Sequence, residues 1–353
     1  MVKIPVDIHD FIDYGISVAE DALKVYGGAS YYYRIGPVTM AVVFIGDQLK
    51  DVLDTALQHN RLYNIPDNVT ATIFAVDSAA LKSTAPPDAW PFPVDTRDHF
   101  QRVHWQPADG MALASDETRG IWHLFNSKVR KGVYWVRSGD ELPSWEAGAP
   151  LRIFIHWLAC LEGVQLVHAA SLVFNNHGML LTGAGGSGKS TTTAAALISG
   201  WSTAGDDFVL VKKFDQPVAY CIYDTVKLSG MALDVMPEIA KLAVNPGRAA
   251  GDKARVHLHN LHGSQLISNM SISAIFSIKI GYTELTEICQ VKKSDVMKAL
   301  APSTLFMLRT GMQESFTQIS KLINSLPCYH IKLGNNPYEA IEKLRKFVNY
   351  LYE

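Results

Sequence analysis

The stretch Gly183-Ala184-Gly185-Gly186-Ser187-Gly188-Lys189-Ser190 constrains the fold more than any other part of the chain. Glycines so closely spaced disfavour both helix and strand, because each loses more backbone freedom on ordering than any other residue. The apolar run MLLTG ends on the first of them, and the alanine-rich TTTAAALI follows the lysine. The segment reads as strand, tight turn and helix, with the helix expected over 190–199. It matches G-x-x-x-x-G-K-[ST], the phosphate-binding P-loop. The residue types suit that chemistry: glycines let successive N–H groups point inward as an anion nest. The helix adds the positive end of its dipole to the same spot. The cofactors this predicts are a nucleoside triphosphate, ATP or GTP, and Mg²⁺. Gly183, Ala184, Gly185, Gly186, Ser187, Gly188, Lys189, Ser190 and Thr191 line the phosphates, Lys189 reaches the β- and γ-phosphates, and the Ser190 hydroxyl ligates Mg²⁺.

A second acidic feature follows one helix later, at Asp206-Asp207. A helix of about ten residues carries the chain roughly 15 Å from the phosphates. Gly200 suits its C-terminal cap. An extended return from Trp201 to Asp206 covers roughly 20 Å, enough to bring the carboxylates back to the loop. Neighbours in an extended segment point to opposite sides, so the two are expected to do different work. Asp206 is assigned to the metal, and Asp207 to the proton of an attacking hydroxyl. The reverse order, or a turn-capping role for either, stays open. His168, in VHAAS, is a candidate to orient a carboxylate, with a packed core histidine as the alternative.

The rest of the chain narrows the setting. Across 353 residues, hydrophobic content is 48% and charged content 19%, which suits a folded protein of more than one domain. A formal net charge of -2 gives no bulk attraction for nucleic acid or an anionic membrane. No apolar run approaches the roughly 18 residues of a membrane span, and the first fifteen residues lack a signal-peptide core. Four cysteines (Cys160, Cys221, Cys289, Cys328) lack CxxC spacing and read as reduced thiols of a cytoplasmic protein.

Two regions are expected. Residues 1–147 read as a mostly β accessory or substrate-recognition domain. A short helix in ISVAEDALKVYG precedes β-like runs SYYYRIG, TMAVVFIG, VTATIFAV, GIWHLFN and GVYWVRSG, and a proline-rich loop lies over 81–98. Residues 148–353 read as an α/β domain, with strands interleaved with helices and a hairpin signal, NNHG, just before the glycine loop.

Lys253 and Arg255, in AAGDKARVHL, are candidate cations for developing phosphoryl charge, with a solvated surface as the alternative. Lys227, in DTVKLSG, is a weaker instance of the same idea. In HLHNLH, His257 and His259 would share one face of a strand. No cysteine or carboxylate lies at a completing spacing, so these histidines are expected to be surface or packing residues.

The order LVHAASL, LLTGAGGSGKST, GWSTAGDDFVLV resembles the catalytic domain of the HPr kinase/phosphorylase superfamily, well over residues 150–230 and more faintly through GDKARVHL and ALAPSTLFML. WEAGAPLR resembles the HPr-kinase-like proteins of biosynthetic (lasso-peptide) gene clusters. The resemblance implies a P-loop fold related to phosphoenolpyruvate carboxykinase and a Mg-ATP-dependent kinase. The acceptor it implies is a serine on a peptide or protein, with lasso-peptide precursors the nearest substrate class. It gives His168 the place beside the base Asp207, adds weight to Lys253 and Arg255, and leaves room for a homo-oligomer. A small-molecule kinase on the same fold, or a nucleotide-operated binding module without acceptor chemistry, remain the alternatives.

Overall fold

A computed structural model of the chain describes residues 7–90, 92, 102–106, 109–212, 216–262, 265–308 and 311–352. They form two compact units, Met1–Leu158 and Ala159–Glu353. That division falls inside a helix, α4 (Arg152–Leu161), eleven residues past the boundary expected after 147. Its first half belongs to the first unit for a packing reason: Phe154 lies against His123, and Trp157 stacks on Phe125.

The first unit opens with α1 (Ile8–Tyr26), of which the expected helix is the second half. Asp7 caps it by accepting the N–H groups of His9 and Asp10, and it stops at Gly27, whose φ of +69° few other residues tolerate. Phe11, Ile12, Ile16, Ala19 and Ala22 form its buried stripe. That stripe packs on one mixed sheet. The strands are β1 (Gly28–Ile35), β2 (Val38–Ile45), β3 (Arg61–Leu62), β4 (Ala71–Asp77), β5 (Arg102–Gln106), β6 (Met111–Asp116), β7 (Ile121–Asn126) and β8 (Lys131–Val136), in the order β3-β1-β2-β4-β8-β7-β6-β5. Among the described residues of this sheet, only β2–β4 and β4–β8 are parallel. Short helices α2 (Lys50–Asp54) and α3 (Ser78–Leu81) fill connections. Of the loop expected over 81–98, Leu81 ends α3 and 82–90 are irregular, while 91 and 93–98 lie outside the described residues.

The second unit is a mixed α/β layer. β9 (Gln165–Val167), β10 (Ala170–Phe174), β11 (His177–Thr182), β12 (Val209–Lys212), β13 (Val218–Cys221) and the long β16 (Asn269–Thr283) form a sheet in the order β10-β11-β16-β13-β12-β9. β18 (Cys328–Gly334) joins β16 in parallel and carries β17 (Glu287–Gln290). The expected hairpin is β10–β11, turned by Asn175 and Asn176, both at positive φ as a two-residue type I′ turn requires. α5 (Lys189–Ile198) and α11 (Pro337–Tyr352) pack with Met179 and Leu181 in one apolar cluster. α9 (Lys293–Leu308) and α10 (Met312–Ser325) share another with Leu180, which points to the opposite face. Beside the first cluster sits a separate two-stranded sheet, β14 (Thr225–Leu228) and β15 (Ala254–His257), with α6 (Gly230–Val235), α7 (Pro237–Ala240) and α8 (Leu258–His262). Among the described residues, no helix is long and apolar enough to cross a membrane.

Candidate functional site

β11 runs straight into the glycine loop, and α5 leaves it at Lys189. Gly186 (φ +79°) and Gly188 (φ +103°) adopt backbone conformations that side-chain-bearing residues rarely reach. A Cβ on Gly183 would come within 2.7 Å of the Ile278 carbonyl, and one on Gly188 would overlap Leu333. Gly188 is the N-cap of α5 and offers no side-chain acceptor, so the first N–H groups of the helix point into the loop without a cap. The Ser187 hydroxyl is buried with no hydrogen-bond partner among the described residues. Lys189 is buried, its ammonium donating to the carbonyls of Gly183 (2.7 Å) and Ala184 (3.3 Å). Burial lowers its pKa. The charges of Asp206 and Asp207 oppose that shift, and the charge of Lys253 adds to it.

Gly200 ends α5 as expected of it. With φ +86° it donates to Leu197 O, and Trp201 N–H donates to Ala196 O, the bond pair of a Schellman cap. The return path is then pinned to β10. Ser171 N–H donates to Gly205 O, the Thr203 hydroxyl to Ser171 O, and Ala204 N–H to Ser171 Oγ. This return is not the continuous extended segment expected. Ser202 and Thr203 make single bridges, and β12 begins only at Val209. Between them the chain turns sharply: Phe208 N–H donates to Asp206 O across Asp207, whose φ is +69°. An i to i+2 bond with a positive φ at its centre is the rarer, strained form of γ-turn, costing roughly 1–3 kcal/mol for a residue with a side chain.

The turn, rather than strand alternation, separates the two carboxylates. Asp206 is fully buried and accepts from the Ser190 hydroxyl (2.7 Å) and the Thr193 hydroxyl (3.1 Å). Burial and the neighbouring Asp207 raise its pKa, against those two hydroxyls and the Lys189 charge. Asp207 faces different partners: His168 Nε2 lies 2.9 Å from Oδ1 and Lys227 Nζ 2.6 Å from Oδ2. Burial works to raise its pKa, but Lys227 and His168 outweigh it and hold the carboxyl well below the usual range. His168 itself is fixed by its backbone N–H donating to Thr304 Oγ1 (3.0 Å) and by ring contact with Phe208.

The structure therefore gathers Lys189, Ser190, Asp206, Asp207 and His168 at one place. Thr191 lies on the first turn of α5, half-buried. Arg255 lies opposite Lys227 in the β14–β15 ladder, half-buried, and burial lowers its pKa. Lys253 is exposed just before β15, held by Asn245, which donates to its carbonyl and accepts from Arg255 N–H. Three partners escaped the sequence reading. Thr193 was findable, since it lies three residues after Ser190 and so on the same helix face. Thr304, 136 positions from His168, left no local signal. Lys227 stood out as a weak phosphate cation, but its place as the ion partner of Asp207 came only with the tertiary structure.

No family model and no curated protein matches the chain. Among solved structures it is similar to the structure of the Hpr(Ser) kinase/phosphatase from Coxiella burnetii, at 14% identity, covering 54% of this chain and 99% of that chain with a TM-score of 0.32.

Proposed function

We propose that the second unit is a Mg-ATP-dependent kinase that phosphorylates a serine hydroxyl on a peptide or protein, lasso-peptide precursors being the first acceptors to test. One observation carries the reading: a glycine loop at the open end of a helix faces two carboxylates with different partners, one on Ser190 and one held ionised by Lys227 and His168. The residues fit the nucleotide and its metal. The uncapped α5 terminus and the unpartnered Ser187 hydroxyl are donors for phosphate oxygens, and no neighbour crowds the Gly185 or Gly186 Cα.

Bound Mg-ATP supplies the transferable phosphoryl group and a divalent charge. Lys189 would exchange its two loop carbonyls for phosphate oxygens. Ser190 and Asp206 would hold the metal, and the raised pKa of Asp206 fits a carboxylate waiting for a cation. Asp207 orients the acceptor hydroxyl and takes its proton. A strongly acidic carboxyl is a weak base, so its part is chiefly positional, with the proton arriving late, as suits a loose phosphoryl-transfer transition state. His168 and Lys227 keep it charged and aimed. Arg255, opposite Lys227 in the ladder, and Lys253, whose charge acts on Lys189, add cations that favour a polyanion.

The test is mass spectrometry of serine-containing peptides, lasso-type precursors included, after incubation with Mg-ATP. One added phosphate on serine is expected with wild type. Asp207→Asn should lower the rate by roughly 10²–10⁴-fold while nucleotide binding stays intact. A wild type that binds no nucleotide, or an Asp207→Asn variant with unimpaired transfer, refutes the reading. ATP turnover that is slow and unchanged by Asp207→Asn would point to a nucleotide-operated switch instead.

A further inference from the structure

His257 and His259 do not alternate along a strand, because β15 ends at His257 and α8 starts at Leu258. The turn brings their rings nearly parallel, 5.4 Å apart between centroids and inclined by 24°. Asp224, in the turn before β14, reaches both of them. Its Oδ1 accepts the His259 backbone N–H at 3.0 Å, and its Oδ2 hydrogen-bonds to His259 Nδ1. His257 Nδ1 lies 3.6 Å from that Oδ2 and 3.0 Å from the Asp224 carbonyl oxygen. One ligand atom from each residue can be chosen so that all lie within 4.8 Å of one another. The carboxylate that sequence spacing failed to supply thus arrives from 33 residues upstream.

We infer that Asp224, His257 and His259 bind one divalent transition-metal ion of the zinc type. Two imidazoles and one carboxylate are a borderline donor set, suited to Zn²⁺ or Co²⁺ over the oxygen-seeking Mg²⁺ and Ca²⁺. Tetrahedral zinc, with bonds of about 2.0–2.1 Å, sets its ligand atoms roughly 3.3 Å apart. His257 Nδ1 and Asp224 Oδ2 already stand near that spacing, and Nδ1 releases its proton and its bond to the Asp224 carbonyl on taking the ion. His259 Nδ1 exchanges its hydrogen bond to Oδ2 for a bond to the ion. The His259 N–H bond to Oδ1 orients the carboxylate from outside the ligand shell. Asp224 and His257 are buried, while the His259 side chain is 54% exposed, which gives the ion an entry path and leaves a fourth position to water. The ion would tie the start of β14, the end of β15 and α8 together. It would brace the strands that carry Lys227 and Arg255, and its binding does not depend on the nucleotide reading.

The experiment is equilibrium dialysis of the full chain against Zn²⁺, with excess Mg²⁺ and no nucleotide, and with folding checked by circular dichroism. The wild type and a Cys289→Ser control, which removes the exposed thiol, should each hold one zinc. His259→Ala should bind at least about tenfold more weakly. Co²⁺ in place of zinc should give the visible bands of a tetrahedral site in wild type, and thermal stability should rise with zinc in wild type but not in His259→Ala. A folded wild type that holds no zinc, affinity unchanged in both His257→Ala and His259→Ala, or binding lost in Cys289→Ser would each overturn the assignment.

Discussion

Replacing Lys227 with Met removes one charge from Asp207 and keeps most of the side-chain length. The ammonium lies 2.6 Å from Oδ2, and the two side chains are only 18% and 21% exposed. At that separation, with an effective dielectric constant of about 20, the bare attraction is about 6 kcal/mol. Relief of the desolvation cost and the His168 bond that remains reduce the net loss to roughly 2–4 kcal/mol at pH 7. The pH dependence has a definite sign. A carboxyl whose folded pKa is depressed stabilises the fold above its unfolded value, near 4, and loses that contribution as pH falls toward the folded value. Without Lys227 the folded pKa of Asp207 rises, so the variant has less to lose. The gap between wild type and Lys227→Met should therefore be full at pH 7 and shrink by up to about 1.4 kcal/mol per pH unit below about 4. Urea unfolding followed from pH 7 down to 3 measures it. Equal stabilities at pH 7, or a gap of the same size at both ends of that range, would refute the argument that this ion pair keeps Asp207 charged.

Other consequences are more local. Gly188→Ala forces a side chain onto φ +103° against Leu333, so it should cost roughly 1–3 kcal/mol and weaken nucleotide binding in a titration. Gly185→Ala, with nothing within 4 Å of the added carbon, should leave thermal stability within about 0.5 kcal/mol of wild type. Thr304→Val keeps the shape but leaves the buried His168 N–H without its acceptor. A loss of about 1–3 kcal/mol is expected in denaturant unfolding, and a neutral result would remove Thr304 from the support of His168.

The glycine loop, the helix after it and the hairpin before it were legible in the residues, because each depends on neighbours a few positions away. Gly188 must curl, Asn175 and Asn176 must turn, and Gly200 must cap, wherever the segment sits. Helix and strand rises also indicated that the aspartate pair returns toward the loop. What local rules could not supply was the shape of that return. The expected extended path became a pinned turn, because the Ser171 hydroxyl on β10 and the Thr203 hydroxyl within the return accept its N–H groups.

The sequence alone determined that a tight glycine turn over 183–188 would join a strand to a helix. The tertiary structure decided the charge partners: Lys227 for Asp207, Thr304 behind His168, Asp224 for His257 and His259. The physical reason is range. Backbone conformation answers to adjacent residues, whereas a carboxylate's pKa and ligands depend on whatever the fold brings within a few ångströms of it, at any distance along the chain.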